Sequence, residues 1–234
     1  MSLAFGERIP TSNERYGYYL FNRQDGFDYL GNTGLKPESA LQTEGLFKQE
    51  FKNFSFSVNL FYHRTKNFIY AYQMVGYSQM TIGALGLKTY RNIDYATTKG
   101  FEIAANASVI NNLSYIMALK YSYAQTCFNT PLPLVPPLKL QHALRYEMYL
   151  FQFQIEHDYA IAQNRINTDY GDKITPDFNT FNFRVMRNFR WRSTVLQVGL
   201  ACENIFDTYY REHLDIGTIP RAGRNFLVNL SFLF

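Results

Sequence analysis

The sequence predicts an all-β fold: an antiparallel transmembrane β-barrel portion of about nine or ten strands, with short periplasmic turns and long extracellular loops. Three observations carry that reading. Apolar and polar residues alternate with period two over about nine segments of roughly ten residues, the mark of strands with two unlike faces. The connections between these segments alternate short and long, as they do in outer-membrane barrels. Charged residues make up only 18% of the 234-residue chain, against about 25% in ordinary soluble domains, while aromatics also reach 18%.

The segments justify themselves in order. A strand remnant stands at Ser2–Phe5, and a weakly patterned strand covers 40–52. Residues 54–63 set Phe54, Phe56, Val58 and Leu60 against Ser55, Ser57 and Asn59. Residues 99–109 set Phe101, Ile103 and Ala105 against Glu102, Asn106 and Ser108. Residues 113–123 set Tyr115, Met117, Leu119, Tyr121 and Tyr123 against Ser114, Lys120 and Ser122. In 139–149, Leu144, Tyr146 and Met148 oppose Gln141, Arg145 and Glu147; in 151–160, Phe151, Phe153 and Ile155 oppose Gln152, Gln154 and Glu156. Residues 178–189 contrast Phe181, Phe183 and Val185 with Asn182, Arg184 and Asn188, and 194–205 is a second weak member. The last segment runs Phe226, Val228, Leu230, Phe232 and Phe234 on one face.

Short connections fall at Lys52-Asn53, Asn111-Asn112, Tyr149-Leu150 and Arg190-Trp191-Arg192. Long ones occupy about 7–37, 64–91, 124–137, 163–177 and 206–222. Tyrosines near strand ends, among them Tyr62, Tyr70, Tyr72, Tyr121 and Tyr146, suit interfacial aromatic girdles. A soluble β-sandwich would show the same alternation with its apolar face inward. Against it, the polar face carries small and amide residues rather than a solvent surface of Lys and Glu.

Several classes are excluded. No run approaches the roughly 18 apolar residues of a spanning helix, and a net charge of +4 without a long basic run argues against nucleic acid. Cys127 and Cys202 lack metal-ligand spacing and are too few for a disulfide scaffold. No G-x-S-x-G turn, phosphate loop or nucleophile–base pairing is present, so no catalytic residue, cofactor or metal site is assigned. The N-terminus lacks the charged and apolar regions of a secretory signal. An exported chain of this kind is therefore expected to be incomplete.

The C-terminal stretch Glu203-Asn204-Ile205-Phe206-Asp207-Thr208-Tyr209-Tyr210, then Gly223-Arg224-Asn225 and alternation to Phe234, resembles the ending of TonB-dependent outer-membrane receptors. Arg8-Ile9-Pro10 with Glu14 beyond it, Leu35-Lys36-Pro37-Glu38, Thr98-Lys99-Gly100-Phe101-Glu102 and the Pro131–Pro137 segment are similar to further recurrent pieces of that family, in the same order. The resemblance implies a 22-stranded barrel of which residues 1–234 are the C-terminal portion, one incomplete domain without plug or TonB box. It implies a cell outer membrane of a Gram-negative bacterium, with outer-membrane lipid, plug, TonB complex and barrel-assembly machinery as partners, the last through the C-terminal strand. It also implies import of a scarce solute such as an iron–siderophore or similar metal chelate. The segment alone is expected to form an open, curved sheet or a misclosed barrel. An autonomous small pore and a soluble β-rich binding protein remain the alternatives.

If the ligand is an anionic chelate, Arg and Tyr at the mouth are suitable donors. The loop candidates are Tyr16, Arg23, Tyr29, Arg91, Arg165, Tyr170, Arg211 and Arg221. Asn204, Phe206, Asp207, Tyr210, Gly223, Arg224 and Phe234 are read as structural or biogenesis residues, with Asn204 and Asp207 bonding local backbone and Gly223 supplying an unusual backbone angle. Lys48, Glu50, Glu102, Lys120, Arg145, Glu147, Glu156 and Arg184 share the lumen face, where cross-strand pairs or plug contacts would satisfy them. His142 and His157 fall on the outward face and are read as girdle residues. Met74, Met80 and His63 could offer soft ligands to copper, though loop packing explains them better.

Overall fold

The computed structural model describes residues 1–191, 194–215, 217 and 219–233. Ten strands follow one another as antiparallel neighbours: β1 (Ser2–Arg8), β4 (Glu38–Glu50), β5 (Phe54–Gln73), β6 (Leu87–Ile110), β7 (Leu113–Thr126), β8 (Lys139–Met148), β9 (Phe151–Ala160), β10 (Phe178–Trp191), β11 (Thr194–Glu203) and β12 (Asn225–Leu233). Two further short strands, β2 (Leu20–Asn22) and β3 (Phe27–Leu30), lie in the β1–β4 connection, and β3 runs parallel to the outer part of β6. Two short helical elements are α1 (Ser12–Tyr16) and a 3-10 turn at Thr168–Tyr170. The sheet path ends at β1 and β12, with no pairing between them among the described residues.

Register explains the two faces. Asn59 pairs with Glu102, Glu102 with Lys120 and Lys120 with Lys139, so these polar groups share one face. The same face carries Lys48, Arg145, Glu156 and Arg184, with Arg145 donating to Gln154 at 2.9 Å and Lys120 lying 3.6 Å from Glu102. The opposite face is aliphatic and aromatic: Phe5, Leu60, Leu200, Phe226 and Phe232 are all more than half exposed. A one-residue slip would exchange the faces.

The large buried apolar residues are not in the middle of the sheet. Tyr29, Leu35, Ile69, Tyr70, Ala84, Leu87, Ile93 and Ala124 lie in the long connections and the strand ends that carry them. A soluble sandwich would bury one strand face between sheets. This chain instead leaves the apolar face bare and packs a core only where the chain leaves the membrane. No described helix is long and apolar enough to span a membrane.

Two expectations change. The connection expected over 64–91 is mostly strand: β5 has 20 residues and β6 has 24, leaving only 74–86 as their link. Outside lipid no apolar face is required, so these extensions lose the alternation while keeping their ladder. Tyr70 is not a girdle residue, because loop residues bury it to 7% exposure. The turn expected at Arg190-Trp191-Arg192 falls partly outside the described residues, as β10 continues through Trp191. Phe234 also lies outside them.

Candidate functional site: the extracellular cap

Five connections leave the same end of the sheet and pack into one cap. The first is closed at its base by Arg8, which donates to Glu38 at 2.6 Å and to Glu14 at 2.8 and 3.1 Å. Glu14 is also the last member of a capping box: Thr11 accepts from its amide, and its carboxylate accepts from the Thr11 amide at 2.7 Å. Glu38 accepts from the Ile69 amide at 2.7 Å, tying this connection to β5. The spacing of Thr11 and Glu14 signals the cap in sequence.

Behind it lies a buried charged cluster. The Lys88 ammonium on β6 lies 2.6 Å from Asp25, with both side chains almost wholly excluded from solvent, and also donates to the Asp169 carbonyl. The Tyr29 hydroxyl donates to Asp25 at 2.5 Å, and the Phe27 ring centroid is 4.0 Å from the ammonium. Burial, reinforced by the bond to Asp25, pushes the Tyr29 phenol well above its ordinary range. Asp28 accepts from the Met80 and Thr81 amides at 2.8 Å each, anchoring the tip of the β5–β6 connection.

The β9–β10 connection crosses to β5. The Tyr170 hydroxyl accepts from the Ala71 amide at 2.5 Å, while Asn167 donates to the Tyr70 hydroxyl at 2.9 Å and the Pro131 carbonyl at 2.8 Å. Arg165 donates to the Ala124 carbonyl at 2.7 Å and stacks 3.8 Å over the Tyr123 ring. Asp172 accepts from the Leu134 amide at 3.0 Å and faces His213 at 3.5 Å, and His213 contacts Thr175 at 3.0 Å. Two connections thus meet at one buried imidazole, and Asp172 ties in a third.

The last connection is pinned by Arg221, which donates to both oxygens of Asp215 at 3.0 and 2.9 Å and lies 3.4 Å from Glu212. Arg211 donates to the Ile174 carbonyl at 2.7 Å. Below it, a polar concavity of about 530 Å3 opens on the lumen face. Its wall includes Arg184, paired with Glu156 at 3.0 Å and Glu203 at 2.9 Å.

Of the eight loop candidates, Tyr29, Arg165, Tyr170, Arg211 and Arg221 are engaged within the cap. Tyr16 and Arg23 are exposed, and no hydrogen bond or ion pair involves the Arg23 side chain among the described residues. Arg91 is exposed with its guanidinium 3.0 Å over the Tyr72 ring. Sequence reasoning missed Asp25, Lys88, Asn167, Asp172 and His213, because nothing local distinguishes a buried loop charge from a solvated one. It also grouped His63 with Met74 and Met80. His63 sits on β5 near Glu44, about 33 Å of extended strand before the β5–β6 connection that holds both methionines.

The C-terminal motif residues close the β11–β12 connection at its neck. Asn204, 3% exposed with φ +48°, donates to the Thr208 and Ala222 carbonyls at 2.9 and 3.3 Å and accepts from the Thr208 amide at 2.8 Å. Asp207, with φ +55°, accepts from the Arg224 amide at 2.8 Å. Gly223 differs from expectation: its backbone is not left-handed, and its requirement is steric, since a Cβ there would strike the Asp207 carboxylate. Arg224 donates to the Ile205 carbonyl at 2.8 Å, Phe206 packs edge-on to Phe181 at 5.4 Å, and Tyr210 lies 4.6 Å from Phe178. Asn204→Ala removes three bonds at a left-handed position and is expected to cost about 2–4 kcal/mol. The check is a urea titration of the heat-modifiable folded band. Asn204→Gly, which restores only backbone freedom, is expected to recover part of the loss.

Residues 2–205 match the family described as TonB dependent receptor-like, beta-barrel. No curated protein matches the sequence. Among solved structures, the copper transporter OprC superposes with a TM-score of 0.77 at 21% identity, covering 97% of this chain and 36% of that one. The ferric enterobactin receptor PfeA of Pseudomonas aeruginosa, as its R480A mutant in complex with enterobactin, gives 0.74 at 17%, covering 99% and 38%. The siderophore receptor PirA of Acinetobacter baumannii gives 0.68 at 18%, covering 97% and 38%. The chain therefore spans little more than a third of the structures it matches.

Proposed function

Because this chain belongs to the TonB-dependent receptor-like β-barrel family, we propose that it forms part of the outer-membrane wall of a receptor that captures a scarce metal chelate and imports it with TonB energy. Family membership supports a Gram-negative outer-membrane setting for the sheet and a transport role for the whole protein. The observation that carries the proposal is the distribution of burial: an apolar face left for lipid, a polar face left for a lumen, and a packed cap at one end.

The reading extends to the rest of the barrel. The unpaired edges of β1 and β12 would cost several kcal/mol per orphaned backbone group in hydrocarbon. Further strands pairing along both edges, in a 22-stranded barrel around a plug, remove that cost. In this reading, residues 1–234 are its C-terminal portion, the lumen concavity faces the plug, and β12 is handed to the assembly machinery.

The ligand class is an iron–siderophore or a similar anionic metal chelate. Tyr16, Arg23 and Arg91 are the cap residues left to meet it, while the other five candidates hold the cap in shape. Arg91, already oriented by Tyr72, can offer its donors without losing much freedom. The test is binding of ferric chelates to outer membranes carrying the full-length protein. Arg23→Ala with Arg91→Ala and Tyr16→Ala is expected to weaken binding at least tenfold with the heat-modifiable fold retained. Unchanged affinity in a folded triple variant would remove these residues from the site, and no chelate binding by the wild type would sink the ligand class.

A further inference from the structure

One polar pair on the lipid-facing wall has no part in the cap. His142 on β8 and His157 on β9 are direct cross-strand partners on that face. The His142 Nε2 lies 2.8 Å from the His157 Nδ1, with the rings edge to face. Each is the fourth residue from the extracellular end of its strand, about 10 Å of chain below the cap. Met117 on β7 is the cross-strand partner of His142, so three donor side chains stand in one row across three strands. Phe181 stacks on His157 at 4.3 Å, and Tyr115 meets His142 edge-on at 5.8 Å.

From this row we propose a copper(I) site on the outer wall of the barrel, with His142 and His157 as nitrogen donors and Met117 as the sulfur donor. Two imidazole nitrogens bound about 2.0–2.1 Å from one ion sit about 3.3–3.6 Å apart at tetrahedral or trigonal angles, so the pair must open by roughly 0.5–0.8 Å. Tautomers with both protons on the outer nitrogens turn both lone pairs toward one ion, and neither ring loses a proton. The carboxylates of Glu156 and Asp158 flank His157 in sequence, but their strand positions put them on the lumen face. The donor set is therefore neutral. A divalent ion would keep its full charge beside hydrocarbon, whereas copper(I) keeps one charge and prefers soft sulfur and imidazole donors. The site is independent of chelate capture by the loops.

The test uses the full-length protein purified in detergent under ascorbate, with Cys127→Ser and Cys202→Ser so that thiols do not hold the metal. Copper(I) is titrated against a chromogenic copper(I) chelator. The expected result is one copper held per chain, at least tenfold weaker binding in His142→Phe/His157→Phe, and several-fold weaker binding in Met117→Leu. Phenylalanine replaces both rings at once, so no orphaned nitrogen is left in lipid to compromise folding. X-ray absorption of the loaded protein is expected to show nitrogen and sulfur donors. Equal copper retention in the folded double variant, or an oxygen-only donor set, overturns the site.

Discussion

Replacing Asp25 by Ala is expected to loosen the extracellular cap by about 3–5 kcal/mol, the usual cost of stranding one member of a buried ion pair. The two side chains are 3% and 1% exposed, and Lys88 would keep the Asp169 carbonyl and the rings of Phe27, Tyr29 and Tyr170 but no counter-charge. The Tyr29 hydroxyl would lose its acceptor in the same step. The damage is local, because the spanning strands pair through backbone bonds that do not involve the cluster. Hydrogen exchange should therefore accelerate in the β2–β3 hairpin, the outer parts of β5 and β6 and the Thr168–Tyr170 turn, while β7 to β12 keep their protection. Asp25→Leu with Lys88→Met, which removes both charges, should restore most of the loss. Equal exchange in Asp25→Ala and wild type would show that the pair does not hold the cap.

The cap should also loosen as pH falls through the histidine range. Burial lowers the affinity of His213 for a proton, Asp172 opposes that effect and Arg211 adds to it. Released loops would titrate near the ordinary value of about 6.5, so below it they bind a proton that the packed cap refuses. Stability is then fully present above about pH 6.5 and is lost as pH drops toward the lower value in the packed state. Asp215, held down by Arg221, contributes a loss only at pH below about 4. Exchange corrected for intrinsic rates should rise between pH 7.5 and 5.5 in 127–138, 161–177 and 204–215. His213→Gln, which keeps an amide for Thr175 and cannot titrate, should flatten the dependence. A pH response that survives in His213→Gln would assign it elsewhere.

The spanning wall was legible because lipid imposes a rule that each residue obeys separately. A side chain such as Phe56 or Leu60 faces hydrocarbon, its neighbour Ser57 or Asn59 faces the lumen, and the alternation can be read one residue at a time. The turns at Asn111-Asn112 and Tyr149-Leu150 followed from the same reading. The outer halves of β5 and β6 did not, since beyond the membrane a strand is held by its partner and by loops far away in sequence. Lys66 pairs with Tyr95 and Ala71 meets Tyr170, and no window around either residue contains that information.

The loop candidates divide along the same line. Their residue types were visible, but whether a guanidinium is spent depends on what folds against it: Arg221 meets a carboxylate six residues earlier, Arg165 meets β7, and no described carboxylate meets Arg23. The sequence by itself determined the approximate number of wall strands, the two faces, the short-turn and long-loop ends and the family resemblance, because these rest on local alternation and on motifs that close their own turns. Only the tertiary structure decided that the core lies in the cap, that Lys88 and His213 are its buried anchors, and that His142 and His157 meet. The cap contacts join elements that are distant in the chain, and their energies come from desolvation that exists only once the loops have packed; the two histidines meet because the β8–β9 register sets them opposite each other.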